Sequence, residues 1–170
     1  YSRPTISGPF AQLLHASIET GIARAAFEET LNRVRQARPW IDSGVDKATD
    51  DPLTKFELGR VVADVRASEV LLKQAAYAVD AAKANLTETS VAKASLDVAK
   101  ARAHSTETAL KASSKLIELA GSRGSQREDG LDCFWRNARV HTLHDASRWK
   151  YYFIANYLLN GVLPPRRGTL

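Results

Sequence analysis

The sequence predicts an all-α protein, an up-down four-helix bundle in which residues 1–170 form one domain. Three observations carry that prediction. Alanines number 26 against 13 aromatic residues, a balance that favours closely packed helices over strands. Apolar residues recur by threes and fours over long stretches, the signature of amphipathic helices. The segments between those stretches are short and rich in Gly, Pro, Asp and Ser, which mark turns.

The first stretch, residues 10–37, places Leu13, Leu14, Ile18, Ile22, Ala25, Ala26 and Leu31 at helical spacing, and Pro39 bars its continuation. RPWIDSGVDKATDDP is then a connecting loop. Asp50 or Asp51 can accept from the free N–H groups of a new helix, and Pro52 suits its first turn. Leu58, Val61, Val65, Leu72, Val79 and Leu86 carry this second helix to between Asn85 and Thr87. Thr87 or Thr89 caps a third helix, which runs through Val91, Leu96, Val98, Leu110 and Leu116 to Leu119, with Gly121 as a left-handed stop.

The third helix has alanines on nearly every side between Val91 and Ala112. Burial by neighbouring subunits as well as by its own domain is the expectation, hence a homo-oligomer. GSRGSQREDG is a loop. The last segment opens helically with Asp132 as cap, weakens at His144-Asp145, and resumes from about Ser147 to Asn160, where Gly161 and Pro164-Pro165 stop it. Long rods joined by short links lie antiparallel, which gives the bundle.

The net charge of +5 is unevenly placed. Residues 1–130 carry 18 Lys/Arg against 17 Asp/Glu, whereas residues 131–170 carry 6 against 2 together with seven of the 13 aromatics. An anionic or planar ligand is therefore sought toward that end. No apolar run approaches the ~18 to 20 residues of a membrane span, and YSRPTISGPF lacks the pattern of a secretory signal. Cys133 is the only cysteine, so no internal disulfide can form, and it reads as a core thiol in a cytoplasmic protein. Methionine is absent, so the chain is expected to be a piece of a longer one.

His141 and His144 are three apart, share a helix face and precede Asp145. Two roles are open to them, structural packing or acid–base and hydrogen-bonding work with a carboxylate setting the tautomer. Zinc needs a third ligand, and His15 and His104 sit on other helices without ligand spacing, so no metal site is expected. Arg136, Arg139, Arg148 and Lys150 interleave with Trp135, Trp149, Tyr151 and Tyr152. With no nucleic-acid-binding motif beside them, the aromatics read as core and the charges as a solvated face.

Gly121-Ser122-Arg123-Gly124-Ser125 offers backbone N–H groups, hydroxyls and a guanidinium after a helix end. It suits a phosphate, or is simply a helix terminus, and it lacks the spacing and lysine of a P-loop. Arg38-Pro39-Trp40 likewise pairs an anion binder with a flat ring, or merely ends a helix.

RPWIDSGVDKATDDP, SSKLIELAGSRGS and LDCFWRNARVHTLHDASRWKYYFIANYLLNGVLPP together resemble the C-terminal helical domain of the acyl-CoA dehydrogenase superfamily. The closest branch is the flavin-dependent monooxygenases typified by dibenzothiophene monooxygenase and the sulfur-acquisition oxidoreductases. The resemblance implies a longer subunit with an N-terminal helical domain and a middle β-domain before this bundle, assembled as a tetramer, and a bundle that is inactive alone. It implies a flavin, FMN in preference to FAD, reduced by a separate reductase, and a small sulfur-containing or aromatic substrate, with neither nucleic acid nor membrane as partner.

Residue by residue, the resemblance sets Arg38 and Arg123, with Gly124 and Ser125, near the flavin phosphate, and His144 by the flavin ring with His141 supporting it. Asp145-Ala146-Ser147 stands where true acyl-CoA dehydrogenases carry an EGT-like triplet whose glutamate removes the substrate's α-proton. Asp145 is the carboxylate at this catalytic end, and its shorter reach argues against straightforward dehydrogenation. Two further departures are Ala146, where many relatives have proline, and Cys133-Phe134, where they carry a basic, histidine-containing stretch. The alternatives are a dehydrogenase of CoA thioesters and, from another class, a non-catalytic self-associating helical module.

Overall fold

The computed structural model describes residues 3–166, and these contain helix but no strand. Five α-helices follow one another: α1 Ser7–Gln36, α2 Pro52–Ala84, α3 Glu88–Ala120, α4 Asp132–Thr142 and α5 Arg148–Asn160. Two short 3-10 turns, Gly121–Ser125 and Arg127–Asp129, join α3 to α4. Both α4 and α5 pack on α3, and counted together as the fourth rod of the bundle they are interrupted at His144-Asp145, where the apolar pattern lapses.

The caps explain the boundaries. The Asp51 side chain accepts from the backbone N–H groups of Leu53 and Thr54, and Pro52 supplies the first turn of α2. Thr87 and Ser90 form a reciprocal capping box at α3. Gly121, at φ +71°, lets the chain leave α3 in a conformation that residues with a Cβ avoid. Asp132 is not the cap of α4: Leu131 holds that position without a side-chain bond, and Asp132 pairs instead with Arg136 one turn on.

α3 is the axial helix, packed by α1, α2, α4 and α5. Its alanines are therefore buried within its own chain, which removes the ground on which the sequence suggested subunit contacts for this helix. Residue numbers rise together along α1 and α3, since Glu19 meets Ser105 and Thr106 while Arg33 reaches Asp129 just past α3. Along α2 they run opposite, with Glu57 on Lys115 and Asp64 on Lys111. Two small-residue clusters fill the interior, one around Ala16, Val79 and Val98, the other around Ala26, Val61 and Leu116.

The exterior departs from the expected pattern in three places. α1 buries Gln12, Ala16, Glu19, Ala23 and Thr30, while Leu14 and Ile18 stand 51% and 50% exposed. Trp135, Trp149, Tyr151 and Tyr152 are exposed, not core, and Lys150 between them is buried instead of solvated. Cys133 is an exposed thiol, because the short α4 turns only Ala138 and Thr142 fully inward. No helix among the described residues is long and apolar enough to cross a membrane.

Candidate functional site

At the break between α4 and α5 the chain gathers a polar cluster inside the bundle. Glu19 on α1 is 0% exposed and Arg102 on α3 is 1% exposed, and the two form a direct ion pair. Ser105 and Thr106 hydroxyls donate to the other oxygen of Glu19, at 3.1 and 2.8 Å. His141 Nδ1 lies 3.1 Å from Glu19 Oε1, and His141 Nε2 lies 3.0 Å from His15 Nδ1. The rings of His15 and His144 face one another with centroids 4.2 Å apart and planes inclined by 34°.

Asp145 turns back beneath His144 into the same cluster, 3.6 Å from Arg102 and 3.4 Å from Lys150. Burial pushes its carboxyl toward the neutral form, but the Lys150 ammonium, a hydrogen bond from Gln12 and the Arg102 guanidinium outweigh that and hold its pKa below the ordinary value. Burial lowers the Lys150 pKa, an effect that the Asp145 charge only partly offsets. The His15 pKa is lowered by burial and then by His144, Arg102 and His141. Two cations thus balance two carboxylates around three imidazoles, of which His144 alone is exposed.

The second candidate lies at the far end of α1. Its last residue, Gln36, is 21 residues beyond His15, roughly 30 Å along a helix. There an open cavity of about 590 Å³ is lined by residues that include Arg33, Gln36, Arg38, Ser122, Arg123 and Gly124. Arg33 is committed to Glu29 and Asp129. Arg38 and Arg123 make no ion pair or side-chain hydrogen bond among the described residues, which leaves two guanidinium groups for one anionic guest.

Gly124 is buried against the end of α3, where a Cβ would stand 2.8 Å from the Ala120 side chain. It shapes the turn that presents Arg123. Ser125 does not line the cavity; its hydroxyl donates to the Ser122 carbonyl at 2.8 Å. The structure therefore brings Arg38, Arg123 and Gly124 together at one end of the bundle and His141, His144 and Asp145 together near its middle. Among the described residues no three His, Cys, Asp or Glu side chains are grouped to hold a metal ion.

A family model described as the acyl-CoA dehydrogenase C-terminal domain matches residues 13–149, a span that holds both of these sites but for Gln12 and Lys150 just beyond its edges. The chain belongs to that family. Dibenzothiophene monooxygenase of Mycolicibacterium goodii is 36% identical over 166 residues, covering 95% of this chain and 40% of that protein. A probable FMNH2-dependent monooxygenase of Pseudomonas putida, SfnC, is 29% identical over 158 residues, covering 91% of this chain and 40% of that protein. The crystal structure of TdsC from Paenibacillus sp. A11-2 with FMN and indole superposes with a TM-score of 0.91 at 32% identity, over 96% of this chain and 42% of that one. The chain thus spans about 40% of the length of the curated relatives it matches.

Within this acyl-CoA dehydrogenase C-terminal domain, the sequence reading leaves Glu19 and Arg102 unremarked, sets His15 aside as a zinc ligand and takes Lys150 for a solvated charge. Glu19, Arg102 and His15 lie on helices with many other polar residues, and Lys150 sits in a basic, aromatic run. Gln12, His15 and Glu19 do recur by threes and fours along α1. That polar stripe beside the apolar one was the available signal, and only the packed α3 shows which stripe faces inward.

Proposed function

We propose that the full-length protein is an FMN-dependent monooxygenase, acting on a small sulfur-containing or aromatic compound with reduced flavin supplied by a separate reductase. The observation that carries this reading is the pair of uncommitted guanidinium groups, Arg38 and Arg123, on one cavity, in a chain whose relatives include proteins named as dibenzothiophene and FMNH2-dependent monooxygenases. A doubly charged phosphate suits that pair. FMN would supply the redox and oxygen chemistry, and this chain's residues would bind its phosphate, orient it and manage protons.

The cavity and His144 lie too far apart along the bundle for one chain to hold both ends of one flavin. A homo-oligomer, a tetramer in the family resemblance, resolves this: Arg38 and Arg123 of one subunit serve the phosphate of a flavin whose ring lies by His144 of another. His144, the exposed imidazole of the cluster, is the group that can give or take a proton at the ring side. Asp145 is engaged with Lys150 and Arg102, which disfavours it as the free base that a CoA thioester dehydrogenase would need. It anchors the turn that carries His144.

The test is direct. Full-length protein should bind FMN, and with reduced FMN and oxygen should oxygenate dibenzothiophene or indole as assay substrates. Failure of the complete subunit to bind FMN would leave only a self-associating module, and anaerobic bleaching of bound flavin by an acyl-CoA would favour the dehydrogenase.

A further inference from the structure

Three histidines meet in the bundle, and two hydrogen bonds tie two of them to a buried carboxylate. The Glu19 carboxylate is paired with Arg102 and accepts from Ser105 and Thr106, so it offers no proton of its own. At 3.1 Å, His141 Nδ1 must therefore carry the N–H. In its neutral form a ring so protonated at Nδ1 presents a lone pair at Nε2. That lone pair faces His15 Nδ1 at 3.0 Å, so with both rings neutral His15 also carries its proton on Nδ1.

We propose that Glu19 and His15 are positioning residues for His144: Glu19 fixes the His141 tautomer, His141 fixes the His15 ring, and that ring is the flat support on which the His144 imidazole is held. The support is built from the interior outward. Arg102 and two hydroxyls immobilise Glu19, two ring-to-partner bonds immobilise His141 and His15, and the exposed His144 lies against the last ring. A solvent-facing histidine on a turn gains a defined orientation in this way without itself being buried. The charged and titratable groups around the support are His15 and Glu19 from α1, Arg102 from α3, His141 from α4, His144 and Asp145 from the linking turn and Lys150 from α5. The functional half of this inference rests on the role proposed above for His144.

The test begins with ¹⁵N NMR of histidine-labelled full-length protein above neutral pH. His141 and His15 should each show a single Nδ1–H tautomer, and an Nε2–H tautomer at either ring would overturn the inference. Glu19→Gln should mix the tautomers of both. Should that variant fail to fold, His141→Phe leaves the Glu19–Arg102 pair in place and should release His15 alone; an unchanged His15 tautomer there would also overturn it. This arm needs no flavin, so it succeeds or fails separately from the functional reading.

The second arm uses His15→Phe, which keeps a flat ring under His144 but cuts the bond to His141. FMN affinity should hold within about twofold while kcat falls about tenfold or more with KM little changed, because orientation of a proton-transfer group is lost without loss of binding. Recovery with His15→Gln, which can still donate to His141, would assign the effect to the bond. Parental kcat in His15→Phe would overturn the positioning role.

Discussion

Lys150 Nζ lies 3.4 Å from Asp145 Oδ2, with both side chains withdrawn from water at the one break in the fourth rod. The turn that carries His144 is thereby tied to the start of α5. A buried pair of this kind is costly to break on one side only, because the remaining charge has no water to return to.

Asp145→Asn should lower the stability of the full-length protein by about 2 to 4 kcal/mol, read as a fall in its thermal midpoint at neutral pH. The sign of the pH dependence follows from the folded-state shifts. The Asp145 carboxyl titrates below its ordinary value in the fold, so its contribution is complete above pH ~4 and is lost as pH falls through the lower folded value. Lys150 also titrates below its ordinary value, so burying its charge costs stability until pH rises through the folded value and toward ~10.4. Both groups make stability grow with pH, at opposite ends of the scale, and Asp145→Asn should flatten the acid limb.

Much of the fold was legible because helix ends are local events. Asp51-Pro52, Thr87, Gly121 and the lapse at His144-Asp145 act through their own backbone neighbours, and each lies at a boundary in the structure. The inward face of α1 was not legible. Two stripes compete there, and Leu14 and Ile18 of the apolar one turn outward while Ala26 stays in the core, because α3 offers Arg102, Ser105 and Thr106 as partners for Glu19. A buried charge is decided by a partner some 80 residues away, which periodicity cannot register. Arg38 and Arg123 are legible as anion binders after helix ends, family resemblance sets them at a flavin phosphate, and the structure adds their common cavity and lack of other partners.

Gly124→Ala should weaken the phosphate end through packing. The new Cβ would meet the Ala120 Cβ at 2.8 Å and the Ile117 carbonyl oxygen at 3.1 Å, neither of which is the flexible tip of a long side chain. The turn must shift, at about 1 to 3 kcal/mol, and Arg123 shifts with it. A lowered thermal midpoint together with a raised Kd for FMN is the expected result. Ser125→Ala, which loses only a bond to the Ser122 carbonyl, should leave that Kd near the parental value.

Arg38→Ala and Arg123→Ala should each raise the Kd for FMN, by ~1.5 to 3 kcal/mol if each makes a charge-assisted contact to phosphate. Two guanidinium groups on one dianion do not act independently, so the double variant should lose less than the sum of the singles. Titration of the full-length protein by flavin fluorescence reads all three. Additive losses would place the two arginines on separate guests.

His144→Ala should behave oppositely to the arginine variants, since it stands far from the cavity along the bundle and at the exposed face of the cluster. FMN should bind with near-parental affinity, because the phosphate contacts are untouched, while oxygenation of the assay substrate falls by about 10² or more, the usual worth of a positioned proton-transfer group. The protein should keep its thermal midpoint, as His144 is exposed and bears no part of the Glu19–Arg102 or Asp145–Lys150 pairs. Those three readouts separate chemistry from binding and from folding. If turnover survives in His144→Ala while the arginine variants lose FMN, the cavity is a flavin phosphate site and the histidine cluster serves only to close the fourth rod.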